Sequence, residues 1–194
     1  MISAQPDFVP QEQVKVLLDF VQSELGQEMF GGGKDHGDSF WDNRFINVNN
    51  IITSEDPRLA EVGEIMRVIH GRLRRHIKLI RNIDNLYSDT YQLIRWPVGV
   101  EQPPHADKEN KDGSEHPYPW RDFASIVYLN DDYQGGHTYF PEIDIDVKPR
   151  SGEMVTFPGT NEFLHGVSKV TEKTRYTIAG FWTQNPTYAD LLSK

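Results

Sequence analysis

Residues 123–157 read FASIVYLNDDYQGGHTYFPEIDIDVKPRSGEMVTF. Short runs rich in Val, Ile, Tyr and Phe recur here: Phe123–Leu129, His137–Phe140, Asp144–Val147 and Glu153–Phe157. Pro149-Arg150-Ser151-Gly152 reads as a tight turn between two of them. The same texture extends outward to Tyr87–Trp96 on one side and to His165–Val170 and Arg175–Thr183 on the other. Short strands following a helical first third predict a mainly β fold with supporting helices: a β-sandwich or jelly roll with helices on one face.

The N-terminal third reads differently. Residues 8–26 predict an amphipathic helix, with Pro10 at its start, Val14, Leu17, Leu18, Val21 and Leu25 at helical spacing, and Gly26 as a stop. Residues 27–53, with Gly31-Gly32-Gly33, Phe40, Trp41 and Phe45, read as an irregular segment with local aromatic packing. A second helix is expected from Ser54, as N-cap, to Asn82. Glu55, Asp56 and Pro57 fit its first turn, and Leu59, Val62, Met66, Ile69, Leu73, Ile77 and Ile80 form one apolar stripe. Its opposite face carries Arg67, Arg74, Arg75 and Lys78, read as solvated surface. One domain over 1–194 is expected, with support helices and the irregular segment in 1–85 and the β core in 86–185. Lys108–Arg121 is long, charged and Pro-rich, a candidate lid.

Bulk properties narrow the function classes. The chain has 194 residues, 37% hydrophobic and 25% charged, ordinary values for a globular protein. No apolar run approaches the roughly 18 residues of a membrane span, and Met1–Asp7 lacks the pattern of a secretory signal. Cysteine is absent, which excludes disulfides and thiolate metal sites and suits a reducing compartment; a cytoplasmic location is expected. The net charge of −9 argues against non-specific nucleic-acid binding.

The chemistry is carried by His105, Asp107, His165 and Arg175. A strand puts i and i+2 on one face, so His105 and Asp107 are expected to project together into the barrel. With His165 they make a 2-His-1-carboxylate set, the facial triad of non-haem Fe(II) oxygenases, which leaves positions open for co-substrate and oxygen. Arg175 supplies a planar, permanently charged fork for a carboxylate. His36, His70, His76, His116 and His137 are read as non-ligands.

From Tyr91 to Asn185 the chain resembles the Fe(II)/2-oxoglutarate dioxygenases, and is most similar to their prolyl 4-hydroxylase branch. The resemblance lies in Pro103-Pro104-His105-Ala106-Asp107, Ser125-Ile126-Val127-Tyr128-Leu129-Asn130, Gly135-Gly136-His137-Thr138-Tyr139-Phe140-Pro141, Phe157-Pro158, His165-Gly166-Val167 and Arg175-Tyr176-Thr177-Ile178. It implies a double-stranded β-helix core, cupin-like, packed on N-terminal helices. It also implies His105, Asp107 and His165 as iron ligands, with Arg175 and Tyr128 on the distal carboxylate of 2-oxoglutarate. Thr138, Ile126 and Val167 match positions lining the co-substrate pocket. Trp96 stands where relatives often have Tyr. The implied reaction is hydroxylation with Fe(II), 2-oxoglutarate and O2, releasing succinate and CO2, with ascorbate as reductant. The third protein ligand, Asp107, favours hydroxylation over halogenation.

The substrate expected from this resemblance is a prolyl residue in a peptide or protein. Arg95, Trp96 and Trp182 are candidates for gripping it, and Tyr118 and Trp120 for stacking on a Pro-rich segment. Two other readings stay open: the same chemistry on a non-proline side chain, free amino acid or small metabolite, and a non-enzymatic cupin-like binding module. No nucleic acid or membrane partner is expected, and the chain is taken as a monomer or weak dimer.

Overall fold

The computed structural model describes residues 1–31 and 39–193. Gly32, Gly33 and His36 therefore lie outside the described residues. The elements in chain order are β1 (Ser3–Gln5), α1 (Gln11–Gln22), α2 (Glu24–Met29), β2 (Phe45–Asn47), α3 (Val48–Ile52), α4 (Ala60–Arg81), β3 (Tyr87–Trp96), β4 (Gln102–His105), β5 (Phe123–Tyr128), β6 (Gln134–Gly135), β7 (Thr138–Phe140), β8 (Ile145–Val147), β9 (Met154–Pro158), β10 (His165–Val167), β11 (Val170–Glu172) and β12 (Arg175–Thr183).

Three differences from the sequence reading have physical causes. The first helix breaks at Ser23, whose hydroxyl donates to the Phe20 carbonyl and accepts from the Gly26 amide. Gly26 thus lies inside α2 and stops nothing. It is glycine because a Cβ there would stand 2.0 Å from the Phe20 carbonyl oxygen. The segment 27–53 is not wholly irregular, since it contains β2 and α3, with the Asn47 side chain accepting from the Asn49 amide at the α3 N-terminus. Before α4, the cap is Asp56, which accepts from the Arg58 amide at 2.9 Å, with Pro57 in the first turn. Asn82 ends α4 in the left-handed region at φ 53°.

The strands form a six-stranded sheet, ordered β1-β9-β5-β12-β3-β2, a four-stranded sheet, ordered β4-β10-β7-β8, and a two-stranded pair of β11 and β6. Every pairing is antiparallel. The fold is a double-stranded β-helix with helices on the outer face of the larger sheet. Alternation along the strands sorts the core. Tyr176, Ile178 and Trp182 of β12, with Tyr91 and Leu93 of β3, pack against Leu17 of α1 and Met66, Ile69 and Leu73 of α4. Arg175 and Ala179 alternate with them and face the barrel interior beside Trp96 and Ile94. The α4 stripe holds except at Ile80, which is 39% exposed. On the basic face, Arg67 donates to the Ile52 carbonyl and Arg74 to the Leu86 carbonyl. No helix among the described residues is long and apolar enough to cross a membrane.

His70 sits where α4 meets the sheet. Its ring lies 5.1 Å from Trp182 and 5.2 Å from Tyr91, and Nε2 is 2.7 Å from the Ser88 hydroxyl. Burial, reinforced by the nearby Arg74 charge, pushes its pKa down to about 4. The unfolded chain takes up this proton near pH 6.5 while the folded one refuses it until about pH 4. The neutral imidazole's contribution is therefore complete above pH 6.5 and is lost as pH falls through that window. The loss is on the order of 3 kcal/mol. His70→Gln is expected to flatten the dependence of thermal stability on pH between 7 and 4.5; equal slopes for variant and parent would count against it.

Candidate active site

His105 ends β4, and Asp107 lies just beyond the strand. The two do not share a regular strand face, as the sequence spacing had implied. Asp107 is turned inward instead by its backbone: the amides of Asp107 and Lys108 both donate to the Gly159 carbonyl at 3.0 Å. Gly159 permits this approach, because a Cβ there would stand 2.3 Å from the Arg121 carbonyl oxygen and 3.2 Å from Asp107 Cβ. His165 opens β10, and its Cα pairs with that of His105 across the ladder.

The three side chains converge. His105 Nε2 is 3.8 Å from Asp107 Oδ1, and His165 Nε2 is 3.8 Å from Asp107 Oδ2. One ligand atom from each lies within 4.8 Å of the others, the one such cluster among the described residues. Atoms bound roughly 2 Å from a common ion sit roughly 3–4 Å apart, so small side-chain adjustments suffice. Each imidazole is already oriented. His105 Nδ1 lies 3.1 Å from the Pro103 carbonyl and His165 Nδ1 3.2 Å from the Phe163 carbonyl. A carbonyl only accepts, so Nδ1 carries the proton and Nε2 presents its lone pair toward Asp107. Burial pushes the His165 pKa down to about 4, against the pull of the Asp107 carboxylate, which keeps the ring in its metal-binding neutral form. Phe157, 4.4 Å from His165 between centroids, closes the dry side. The His105 side opens to a cleft of about 610 Å³ that also touches Gln102, Glu109, His116 and Glu142.

Deeper in the barrel stands Arg175, 1% exposed. Its Nη2 donates to the Thr138 hydroxyl at 3.1 Å, and the Tyr128 hydroxyl lies 2.8 Å from the same oxygen. Among the described residues, its Nε and Nη1 are buried with no hydrogen-bond partner and no carboxylate pairs with it. Trp96 and Tyr128 flank the guanidinium at 5.1 and 5.3 Å. Buried charges without counter-ions cost several kcal/mol, so this arrangement fits an anion with two acceptor oxygens. Asp107 Oδ2, buried and unpartnered, fits a cation in the same way. Val167, two residues along β10 from His165, pairs with Thr138 and so links the two halves of the site. Ile126 lies with Tyr128 among the barrel-interior aromatics Phe140 and Phe157.

Residues 91–183 match the family model described as the 2OG-Fe(II) oxygenase superfamily. The match takes in 93 of the 194 residues, just under half of the chain. In sequence the chain is 35% identical over 125 residues to prolyl 3-hydroxylase 2 of Homo sapiens, a match covering 54% of the chain and 18% of that protein. It is 38% identical over 78 residues to prolyl 3-hydroxylase 1 of Gallus gallus, covering 38% of the chain and 11% of that protein. The chain spans less than a fifth of the length of these curated relatives. In structure, the chain resembles the viral collagen prolyl hydroxylase of Paramecium Bursaria Chlorella virus-1, with a TM-score of 0.69, 16% identity, and 95% and 96% of the two chains covered. It also resembles a Pseudomonas putida prolyl-4-hydroxylase, with a TM-score of 0.63, 16% identity, and 95% and 92% covered. At such identities the likeness is one of fold. The resemblance to a 4-hydroxylase branch thus broadens to the prolyl hydroxylase type, since the sequence relatives are 3-hydroxylases.

The residues expected to grip substrate are placed elsewhere. Trp182 is fully buried on the helix side of β12, with its indole N–H on the Ser125 hydroxyl at 2.8 Å, and does not face the cluster of His105, Asp107 and His165. Arg95 also points away from it, toward the N-terminal segment: it bonds Gln27 Oε1 at 2.5 Å and the Asn43 carbonyl at 2.8 Å, and covers the Phe30 ring. Trp96 faces inward but lies beside Arg175, not at the mouth. The 108–121 segment is pinned at its far end, where Trp120 and Arg121 both donate to Asp89 and Trp120 stacks on Tyr188 at 3.9 Å. His137 pairs with Asp146, far from the cluster in character and contacts. Sequence alone does not single out the Gly159 carbonyl, for which a glycine after Phe157-Pro158 is the one signal.

Proposed function

We propose that the chain hydroxylates prolyl residues of a peptide or protein, using Fe(II), 2-oxoglutarate and O2 and releasing succinate and CO2, with ascorbate as reductant. One observation carries this reading: three metal-ligating side chains with donor atoms within 4.8 Å share a barrel with a buried guanidinium that has two unpartnered donors. His105, Asp107 and His165 would hold the iron on one face, and Arg175 would anchor the distal carboxylate of 2-oxoglutarate. Ferrous iron with 2-oxoglutarate supplies the oxygen activation needed to attack an unactivated C–H bond.

The chain's own contribution is positional. The Pro103 and Phe163 carbonyls fix both imidazole tautomers before metal arrives. The Arg175 fork sets the direction in which the diacid enters, and Thr138 holds that fork in place. Phe140, Phe157 and Ile126 keep water from the interior. Proline as substrate is supported by the prolyl hydroxylases among the matching sequences and structures.

The test is incubation of the chain with Fe(II), ascorbate, 2-oxoglutarate and Pro-rich peptides in air. Succinate release together with a peptide mass gain of one oxygen is expected. Amino-acid analysis of the hydrolysed product then separates 3- from 4-hydroxyproline. Absence of succinate with every peptide and with none would contradict the reading.

A further inference from the structure

Tyr133 precedes the Gly135-Gly136 turn and is 6% exposed. A Cβ placed on Gly136 would lie 3.2 Å from Arg175 Cδ and 3.2 Å from Tyr133 Cε2, so the phenol and the arginine stem flank the same point. The Tyr133 hydroxyl is buried, stands beside the Arg175 guanidinium, and makes no hydrogen bond of good geometry among the described residues. Burial pushes its pKa up to about 12, tempered by the neighbouring guanidinium, so it keeps its proton at neutral pH. The Trp96 indole N–H, on a ring 5.1 Å from the guanidinium carbon, is likewise buried and without a hydrogen-bond partner among the described residues. Folded proteins pair nearly all buried polar groups. Here the unpaired ones around Arg175 are Nε, Nη1, a phenol that can donate and an indole N–H. Donors without an acceptor mark the place of an anion.

We infer that the Tyr133 hydroxyl is a further donor to the carboxylate that Arg175 anchors, which makes Tyr133 a specificity residue for the diacid co-substrate. The inference rests on the function proposed above. A phenol bond to an ionised oxygen strengthens binding only of ligands that carry that carboxylate. Tyr133 would therefore discriminate 2-oxoglutarate from 2-oxopentanoate, which keeps the 2-oxoacid end and lacks the distal charge.

The experiment is calorimetric titration of Mn(II)-loaded, oxygen-free protein with 2-oxoglutarate and with 2-oxopentanoate, for the parent, Tyr133→Phe and Arg175→Met. Tyr133→Phe is expected to weaken 2-oxoglutarate roughly tenfold or more and to leave 2-oxopentanoate unchanged. A merely structural role would weaken both alike. Because the hydroxyl lost makes no hydrogen bond of good geometry among the described residues, the variant should melt close to the parent, so folding does not confound the result. Affinity for 2-oxoglutarate within about twofold of the parent's, or an equal loss for both ligands, would overturn the inference while Arg175→Met still weakens 2-oxoglutarate. If Arg175→Met also binds unchanged, the co-substrate site itself is misplaced and both readings fall.

Discussion

Asp107→Ala is expected to abolish metal binding and to lower succinate release by at least about a thousandfold, on the order of 4 kcal/mol of transition-state stabilisation. The carboxylate is 5% exposed and stands between two imidazole nitrogens at 3.8 Å, so it is the one anionic member of the three-residue cluster. Without it, two neutral nitrogens must hold a hard divalent ion alone. The same geometry separates this prediction from simple misfolding. In the metal-free protein Asp107 Oδ2 is a buried, unpartnered acceptor, so removing it should leave apo stability equal or higher. The parent, by contrast, should gain about 2.7 kcal/mol with metal at a hundred times its Kd, and the variant nothing. Equilibrium dialysis with elemental analysis and thermal melts with and without Mn(II) read both quantities. A variant that still binds metal, or still makes succinate, would remove Asp107 from the ligand set.

Much of this site could be read from the chain because its parts are carried by regular strands. Tyr87–Trp96 and Arg175–Thr183 have the bounds expected of them, since long β-branched and aromatic runs leave few alternatives. The structure brings together His105, Asp107 and His165, which sequence alone could only pair by type and spacing. Strand β4 ends at His105, two residues short of the Asp107 that the i, i+2 spacing places on it, and its two prolines leave no run of amide donors to mark its bounds. Strands β1 and β2 are three residues each, too short to show a period. The misplacement of Trp182 has a different origin. Almost all of β12 is buried on both faces, so no polar alternation tells which side looks into the barrel. Only the helices stacked on Tyr176, Ile178 and Trp182 settle it. Arg95 fails for a related reason: its bonds to Gln27 and Asn43 join positions 68 and 52 residues apart, which no local pattern encodes. Tyr133 was silent because a lone aromatic before two glycines reads as turn chemistry, and its closeness to Arg175 exists only after the Gly135-Gly136 turn is made.

Arg175→Met should raise the Kd for 2-oxoglutarate by about a hundredfold to a thousandfold, the cost of leaving one end of a buried ionic pair without its partner. It should do so while making the apo protein more stable. The guanidinium is 1% exposed and, among the described residues, has no carboxylate partner and no hydrogen-bond partner for Nε and Nη1. The rings of Trp96 and Tyr128 at 5.1 and 5.3 Å offset only part of that desolvation. Met fills a similar volume with no charge, and replacing buried ionic groups by well-packed apolar ones commonly stabilises by about 1–4 kcal/mol. Stability and binding are therefore expected to move in opposite directions at one position, the signature of a charge kept for a ligand and not for the fold. Arg175→Lys provides the intermediate case. It retains the positive charge but loses the fork, so it should recover part of the affinity and little of the orientation, seen as succinate made without peptide hydroxylation. Calorimetry for Kd, melting temperature for apo stability and the ratio of hydroxylated peptide to succinate measure the three effects separately. An Arg175→Met protein that melts lower than its parent and binds 2-oxoglutarate as tightly would show the guanidinium to be a structural strut, with the anion held elsewhere.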